Sequence, residues 1–275
     1  MCALGKVTHM RKLLLAGSAL GALATSAFAA DMAPLPIPAP LPSWTGFYVG
    51  GNVGWAGSTD AVTNLGTDSG IGGFGTALLA GGLPGIVNLN ETGVIGGGQV
   101  GYNWQVAPTW VVGIEADFQG TNAKGSNAFA FLGAGPIPPI TTTYTRELDW
   151  LGTLRARVGY LWFPGLMFYG TGGLAYGENK LGAAAACPAW TPPCSSEAGT
   201  AHQSSNTSAG FAAGAGAEWR FAPAWTLRGE YLYVEFGRFS NTISYTYPGN
   251  TSTLTSTIRE RDNIARVALN YLIGY

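Results

Sequence analysis

The last twelve residues of the chain alternate, and this constrains the fold more than any other feature of the sequence. From Ala265 to Tyr275 every second residue is apolar or aromatic, and the residues between are smaller or more polar. A period of two is typical of an extended strand with one apolar face. That face lacks the charges and prolines that usually protect the edge of a sheet. We therefore expect the strand to close a barrel against the first strand, although the last strand of a soluble sandwich is an alternative. The outer face of this barrel-closing strand would carry Val267, Leu269, Tyr271, Ile273 and Tyr275.

The N-terminal residues 1–29 have the pattern of a secretory signal peptide. Arg11 and Lys12 precede a short apolar run, which ends at the small-residue sequence Ala27-Phe28-Ala29. A basic start, a short apolar middle and this ending are typical of export signals. We predict cleavage after Ala29 and consider Met10 the possible true translation start.

Residues 30–43 form a proline-rich spacer before the main domain, residues 44–275. Five prolines between residues 33 and 42 favour the extended polyproline II conformation, which cannot enter the interior of a sheet.

The composition favours a transmembrane β-barrel. Only 11% of the residues are charged, whereas about 25% is usual for soluble domains, and glycine is abundant at 42 residues. Yet no apolar run after residue 30 approaches the length of a membrane-spanning helix. Cleavage of the signal would remove Lys6, Arg11 and Lys12 but no acid, so the net charge would fall from −1 to −4. An acidic chain of this kind is not expected to bind nucleic acid.

Eight alternating segments define the predicted strands. They cover approximately residues 45–56, 93–106, 109–120, 146–160, 166–177, 208–221, 224–236 and 264–275. Three short connections, at 107–108, 161–165 and 222–223, alternate with four long ones, roughly 57–92, 121–145, 178–207 and 237–258. This pattern predicts an all-β, eight-stranded antiparallel up-and-down transmembrane β-barrel with four long external loops and three short periplasmic turns. Within the last long connection, residues 239–247 and 251–259 could form a hairpin that extends the barrel.

The side chains of the predicted strands separate into two faces. On the fourth strand we expect Leu148, Trp150 and Leu154 to face outward and Asp149 to face inward. Aromatic residues flank the short turns, as in an interfacial belt. These are Trp104, Trp110, Tyr160, Phe221 and Trp225. A soluble barrel such as a lipocalin would give no reason for that placement.

Several motifs resemble the porin-like outer-membrane surface-antigen family of alphaproteobacteria, often called outer membrane immunogenic proteins. The likeness covers nearly everything after residue 27. It is carried by the Ala29-Ala30-Asp31 start before the proline spacer and by the sequences at 44–54, 98–104, 154–160, 169–177 and 228–233. The resemblance implies an eight-stranded barrel in the cell outer membrane, and it implies little about activity.

Three motifs that could suggest chemistry have simpler explanations. Two Gly-x-Gly-x-x-Gly patterns begin at Gly70 and Gly96, but a dinucleotide site needs a helix after the motif, and we expect none at either place. His202 lies near Ser204 and Ser205 in a predicted loop, so we interpret it as a solvated histidine rather than a catalytic one. One histidine with scattered carboxylates also offers no convincing metal site. We therefore predict no enzyme activity, no cofactor and no metal.

The inward charges form a second pattern. We expect a lumen charge network in which acids and arginines on neighbouring strands neutralise one another, because unpaired charge in a confined space is costly. Its members are Glu115, Asp117, Arg155, Arg157, Glu218, Arg220, Arg228, Glu230 and Arg266. A selective polar conduit is the alternative interpretation.

Cys187 and Cys194 lie in the third long connection and are expected to form a disulfide, because export would place them in an oxidising compartment. Reactive or intermolecular thiols are the alternative.

The sequence thus predicts a non-enzymatic outer-membrane barrel that contributes to the envelope and to surface interactions. A narrow channel and a lipid-modifying enzyme are the alternatives. The expected partners are outer-membrane lipids, the barrel-assembly machinery and a possible surface ligand at the loops, and the protein is expected to be a monomer.

Overall fold

The computed structural model describes residues 43–70, 73–131, 140–186, 200–247 and 250–274, all within one compact unit. The predicted signal peptide, residues 30–42 of the spacer, Cys187, Cys194 and Tyr275 lie outside the described residues.

Eight long strands and one short helix make up the described part of the chain. They are β1 Gly46–Asp68, α1 Phe74–Leu79, β2 Ile86–Ala107, β3 Trp110–Phe131, β4 Ile140–Phe163, β5 Leu166–Ala186, β6 Thr200–Ala222, β7 Trp225–Tyr247 and β8 Asn250–Ile273. Each strand pairs with its sequence neighbour, and β1 pairs antiparallel with β8, so the sheet closes into a barrel. The predicted fold class is therefore confirmed. In the described ranges, no helix is both long and apolar enough to cross a membrane.

The outer wall carries an apolar band between two aromatic belts. On β8 the predicted outward residues Val267, Leu269, Tyr271 and Ile273 are all exposed. Near the short turns, Trp110 packs against Tyr160 with ring centres 5.4 Å apart. The segments between the belts are about ten residues long, as a tilted membrane-crossing strand requires. These membrane-spanning segments are 47–55, 94–104, 110–118, 150–160, 168–176, 211–221, 225–233 and 265–273.

The strands continue well beyond the membrane band. Each is 21 to 24 residues long, so much of what we expected to be external loop is strand instead. The expected hairpin after residue 239 is present, because β7 and β8 remain paired as far as Tyr247 and Asn250.

Outside the membrane the barrel separates into two four-stranded sheets. The β2–β3 ladder ends at Thr92 and Lys124, and the β6–β7 ladder ends at Phe211 and Glu235. By contrast, the β1–β8 and β4–β5 ladders continue almost to the strand tips. The result is a sheet of β7, β8, β1 and β2 facing a sheet of β3, β4, β5 and β6.

These two sheets pack against each other through buried apolar side chains. Val62, Leu89 and Ile258 of the first sheet meet Tyr144 and Leu181 of the second. We call this region the external sandwich. Its core stabilises the strand extensions, which bury apolar area that a solvated loop would expose.

A bulge in β4 reverses part of the predicted side-chain pattern. The register between β4 and β5 shifts between Leu148 and Trp150, and an extra residue of this kind changes which side chains face inward. Leu148, expected on the outer wall, is buried in the lumen together with Leu151. Asp149, expected inside, is partly exposed and paired with Lys180.

Candidate functional site

The strand alternation fills the lumen with side chains arranged in layers. From the periplasmic turns outward these are an aromatic layer at Trp44, a layer of ion pairs, an apolar layer and an acidic layer at Arg146. The ion-pair layer contains eight of the nine residues predicted for the lumen charge network, and we call these eight the central network. They are Glu115, Asp117, Arg155, Arg157, Glu218, Arg228, Glu230 and Arg266, all buried.

Strand register brings the opposite charges face to face. Glu115 lies directly across from Arg155, Glu218 from Arg228, and Glu230 from Arg266. Glu115 and Asp117 are two residues apart on one strand, as are Arg155 and Arg157, so each pair projects into the lumen together. Local alternation and strand order are therefore enough to assemble the network.

Arg155 is the centre of one half of the network. Its Nη2 donates to Glu115 Oε1 at 2.6 Å and to Asp117 Oδ2 at 2.9 Å, and its Nη1 donates to Glu230 Oε1 at 3.0 Å. Arg266 reaches two of the same acids, since its Nε donates to Glu230 Oε2 at 2.7 Å and its Nη2 to Asp117 Oδ2 at 2.9 Å. Both guanidinium groups therefore bridge carboxylates from different strands.

Glu218 is the centre of the other half. Arg157 and Arg228 both donate to its Oε2, while Thr226 and Asn270 donate to Oε1 at 2.6 and 3.0 Å. Arg228 also binds Glu115 and thereby joins the two halves.

Neutral residues extend the network to the remaining strands. Tyr48 on β1 donates to Glu115 at 2.6 Å, and Tyr169 on β5 donates to Glu230 at 2.9 Å. Gln99 on β2 donates to Asn270 at 2.6 Å. The Arg157 guanidinium also lies 4.5 Å from the ring centre of Tyr169. Every strand of the barrel thus contributes a side chain to this layer.

The central network is electrically balanced. It contains four acids and four arginines, so the formal charges cancel. Breaking one member of a buried, hydrogen-bonded ion pair is far more costly than breaking an exposed pair, because the remaining charge has no solvent. The arrangement therefore favours a fixed, filled layer over mobile charges lining water.

Arg220, the ninth predicted member, does not join the network. It lies nearer the periplasmic turns, where its guanidinium stacks 4.4 Å from the ring centre of Trp44 and donates to the Ser43 carbonyl at 3.0 Å. We predicted Arg220 as a member of the lumen charge network, and that prediction did not take this N-terminal segment into account.

Trp44 closes the periplasmic mouth of the barrel. It is fully buried, and its indole Nε1 donates to the Pro164 carbonyl at 3.1 Å. Its ring belongs to an apolar cluster with Val111, Leu161 and Met167. Sequence reasoning placed Trp44 only at the start of a family motif, and a lone tryptophan before the first strand gave no signal of this role.

The structure contains an acidic layer outside the membrane that we did not predict from the sequence. Arg146 Nη1 lies 2.8 Å from Asp60 Oδ2 and 3.0 Å from Glu91 Oε2, and its Nη2 lies 3.2 Å from Asp262 Oδ2. Glu260 is also buried beside them. One buried arginine therefore faces four buried acids, and Arg261, on the rim, is the second cation within 4 Å of Asp60.

The excess of acid changes the protonation of this layer. Burial raises the pKa of Glu91 to about 8 and that of Glu260 to about 7, and the attraction of Arg146 only partly opposes this. The pKa values of Asp60 and Asp262 are also raised by burial. Glu91 is thus mainly protonated at neutral pH, which reduces the uncompensated negative charge.

The structure shows where the motifs that could suggest chemistry lie. The pattern at Gly96 lies inside β2, whereas α1 begins at Phe74 within the pattern at Gly70, so our expectation of no helix there was wrong. Asp68 already occupies its first amides, accepting from Gly75 at 3.2 Å and from Thr76 at 2.7 Å. The backbone of His202 lies in β6 opposite Ala183 rather than in a loop. Among the described residues, no group of three or more candidate ligands could hold a metal ion.

The fold and the filled lumen define the class of this protein, a small transmembrane β-barrel. The chain belongs to the outer membrane protein beta-barrel domain family, whose model matches residues 16–258. It is 37% identical over 248 residues to the 31 kDa outer-membrane immunogenic protein of Brucella melitensis, covering 83% of this chain and 88% of the relative. It is 30% identical over 199 residues to the 22 kDa outer membrane protein of Rhizobium leguminosarum, covering 72% and 66%.

The family resemblance expected from the motifs is therefore confirmed, and the protein is a component of the cell outer membrane. Among solved structures, the outer membrane protein OprG of Pseudomonas aeruginosa aligns with a TM-score of 0.40 and 11% identity, covering 84% of this chain and 99% of OprG.

Proposed function

We propose that this protein is a non-enzymatic barrel that strengthens the outer membrane and presents the external sandwich to the surroundings of the cell, without conducting solutes. The observation that carries the proposal is the central network. Four arginines and four acids from five strands bind each other across the lumen at the level of the membrane. Eight-stranded barrels have an interior that side chains can fill, whereas water-filled porins need about sixteen strands.

Two further layers support a closed lumen. Trp44 and its apolar neighbours occupy the periplasmic mouth. On the outer side of the network, Leu148, Leu151, Phe236 and Ile264 form an apolar layer across the barrel. An ion entering from either side would therefore have to cross an apolar layer before it reached the central network.

The partners that we propose follow from the position of the barrel in the outer membrane and from its long strand extensions. Outer-membrane lipids would contact the apolar band, and the barrel-assembly machinery would insert the chain, which we propose acts as a monomer. Any surface ligand would meet the strand extensions, since these form most of the external part.

The test is single-channel recording on the purified protein in planar bilayers. We expect no large, steady conductance steps from the parent protein. Arg155→Ala combined with Arg157→Ala should introduce conductance, because it removes two long side chains and leaves Glu115 and Glu218 with fewer partners. The matched control is Arg259→Ala, which removes an exposed arginine from the outer wall. Large, steady steps from the parent monomer would refute the closed lumen, and turnover of lipid in detergent micelles would refute the non-enzymatic role.

A further inference from the structure

Outside the membrane, β6 loses its pairing with β7 and keeps only its pairing with β5. Within the barrel β6 lies between β5 and β7, but its ladder with β7 ends at Phe211 and Glu235. Beyond that point β6 continues to Thr200, paired with β5 alone. Along residues 200–210, therefore, one edge of β6 has no strand partner among the described residues.

β7 does not cover this edge, because it turns inward across β5. The ring of Phe236 lies against Gly177 of β5, and the Asn241 side chain donates to the Leu181 carbonyl at 3.4 Å. Phe236 also lies against Gly210 of β6, where the β6–β7 ladder ends, whereas the Asn241 bond shows that β7 has reached β5 at this level. At the opposite seam, by contrast, the Asn127 side chain of β3 donates to the Asn88 carbonyl of β2 at 3.0 Å, so that seam is bridged.

Within the parts of the chain that the structure describes, this edge of β6 carries exposed side chains and none of the usual protective features. Ser205, Asn206, Thr207 and Ala209 are all exposed. Residues 200–211 contain no lysine, arginine, aspartate, glutamate or proline, and the register with β5 has no bulge. Charges, prolines and bulges are the devices by which edge strands avoid pairing with other chains. Their absence leaves this edge competent to accept another strand.

The alternation of backbone groups along β6 shows which of them point toward its unpaired edge. The Arg220 N–H donates to the Gly165 carbonyl on the β5 side, at 2.8 Å. Because backbone groups alternate between the two edges of a strand, even-numbered residues of β6 face β5. The N–H and C=O groups of residues 205, 207 and 209 therefore point toward the open edge.

We propose that residues 205–209 of β6 form a docking edge for an extended polypeptide segment of another protein outside the cell, which adds to the sheet as a strand. The incoming segment would continue the established β6–β7 ladder in the position that β7 vacates. Main-chain hydrogen bonds provide the affinity in this mode of recognition. The β6 side chains are small and uncharged, so an uncharged segment fits best and few side-chain preferences are expected.

A second copy of this chain in the same membrane is poorly suited to this edge. Strands of outer-membrane barrels tilt by about 35–45° from the membrane normal, so β6 strands of two copies related by an axis along that normal would cross at roughly 70–90°. A ladder needs nearly aligned strands. A flexible segment of a different protein can align, and this favours it as the occupant.

The experiment uses the full-length protein in detergent micelles and a short synthetic peptide of alternating threonine and valine. The peptide is N-methylated at alternate residues, which leaves it one edge for pairing and prevents its self-association. We expect the amides of residues 205, 207 and 209 to exchange rapidly with solvent and to become protected by the peptide, whereas those of 206 and 208 are protected throughout. A peptide N-methylated at every residue should give no protection.

The variant Thr207→Pro with Ala209→Pro removes two donors from the open edge and none from the β5 ladder. It should weaken peptide binding roughly tenfold or more, whereas Thr207→Val with Ala209→Val, which keeps both donors, should bind as the parent does. Unchanged protection of residues 206 and 208 verifies that the proline variant folds. Equal binding by parent and proline variant, no protection at millimolar peptide, or a dimer of the parent that occupies the edge would each overturn the proposal.

This inference rests on the surface role proposed for the external sandwich, but the two fail separately. Peptide binding reports only on the edge of β6, whereas conductance reports only on the lumen.

Discussion

At the scale of single residues, Arg155 shows how one side chain can hold a barrel together. Its guanidinium contacts Glu115, Asp117 and Glu230, which come from strands on both sides of the lumen. Because the network is neutral, removing this charge leaves one buried carboxylate without compensation.

We predict that Arg155→Ala lowers the free energy of unfolding by about 3–5 kcal/mol, the range for breaking a buried ion pair. Urea unfolding of the protein in phospholipid vesicles would measure this. The control is Lys124→Ala, whose ion pair with Glu147 is 3.2 Å long but solvent exposed. Its effect should not exceed about 1 kcal/mol. Similar losses for both variants would contradict the central role of Arg155.

Glu91 should make the stability of the external sandwich depend on pH. Burial raises its folded-state pKa to about 8, above the ordinary value of 4.5. A raised pKa means that the folded state binds the proton more tightly than the unfolded state does. The stabilisation is therefore complete below about pH 4.5 and is lost as the pH rises through about 8.

Glu91→Gln should remove the part of this pH dependence that Glu91 contributes and stabilise the external sandwich above about pH 8. The part that comes from the raised pKa values of Glu260, Asp60 and Asp262 should remain. Hydrogen exchange at Val62, Leu89 and Tyr144, measured across this pH range, would report on it. The control is Glu147→Gln, because that carboxyl lies on the outer wall. A parent protein whose exchange protection is unaffected by alkaline pH would contradict the prediction.

At the scale of elements, the sequence predicts the membrane-spanning parts of the strands well and the external parts poorly. Inside the membrane, alternation is strong because one face meets lipid and the other meets the lumen, so Glu115, Arg155 and Glu218 were placed inward from their spacing. Outside, both faces carry small polar residues, as in Thr141-Thr142-Thr143, and the contrast between faces is weak. Asp60 and Glu91 consequently fell in a predicted loop.

Bulges limit sequence reasoning in a second way. A single extra residue in β4 turned Leu148 inward, and another register shift in β7 separates Glu235 from Gly237. Each shift reverses the direction of every later side chain along the strand. The shift in β7 falls at Gly237, whose φ is +90°, whereas no glycine marks the shift between Leu148 and Trp150 in β4. The alternation Val87, Leu89, Glu91 could nevertheless have indicated that β2 begins before residue 93.

In the connection between β5 and β6, we predict a disulfide between Cys187 and Cys194. It would close a loop of about eight residues. Its stabilisation should be below the roughly 3 kcal/mol estimated for a 15-residue loop, because short loops lose little entropy on closure. Thiol titration of unreduced, denatured protein should find neither cysteine free. Two free thiols would contradict the bridge, and Cys187→Ser with Cys194→Ser should leave the barrel folded.

At the scale of the whole molecule, closure joins the two ends of the described chain. β8 pairs with β1 from Phe47 and Ile273 outward, and it pairs with β7 on its other edge. Closure satisfies the backbone groups that an open edge would expose to lipid, where each unsatisfied group costs several kcal/mol. The lumen layers depend on it as well, because Arg266 and Asn270 reach the central network from β8.

We predict that deleting residues 271–275 prevents stable assembly in the outer membrane. The deletion removes three pairs between β8 and β1, those of Tyr271, Leu272 and Ile273. It also removes the Leu272 N–H bond to the Ala224 carbonyl, 2.8 Å long, and the ring contact between Tyr271 and Trp225. The first strand would then present unpaired backbone groups within the membrane, which is why the loss should exceed that of any single side chain.

Gel migration before and after boiling would measure this, because a closed barrel resists detergent until it is heated. The parent should migrate differently in the two states and should fractionate with the outer membrane, whereas the truncated chain should show one mobility. Tyr271→Ala is the matched control, since it removes the ring contact with Trp225 but keeps the ladder, and it should retain the two mobilities. A truncated chain that still reaches the outer membrane and shifts on boiling would contradict the prediction. It would show that β8 closes the barrel without its last three residue pairs with β1.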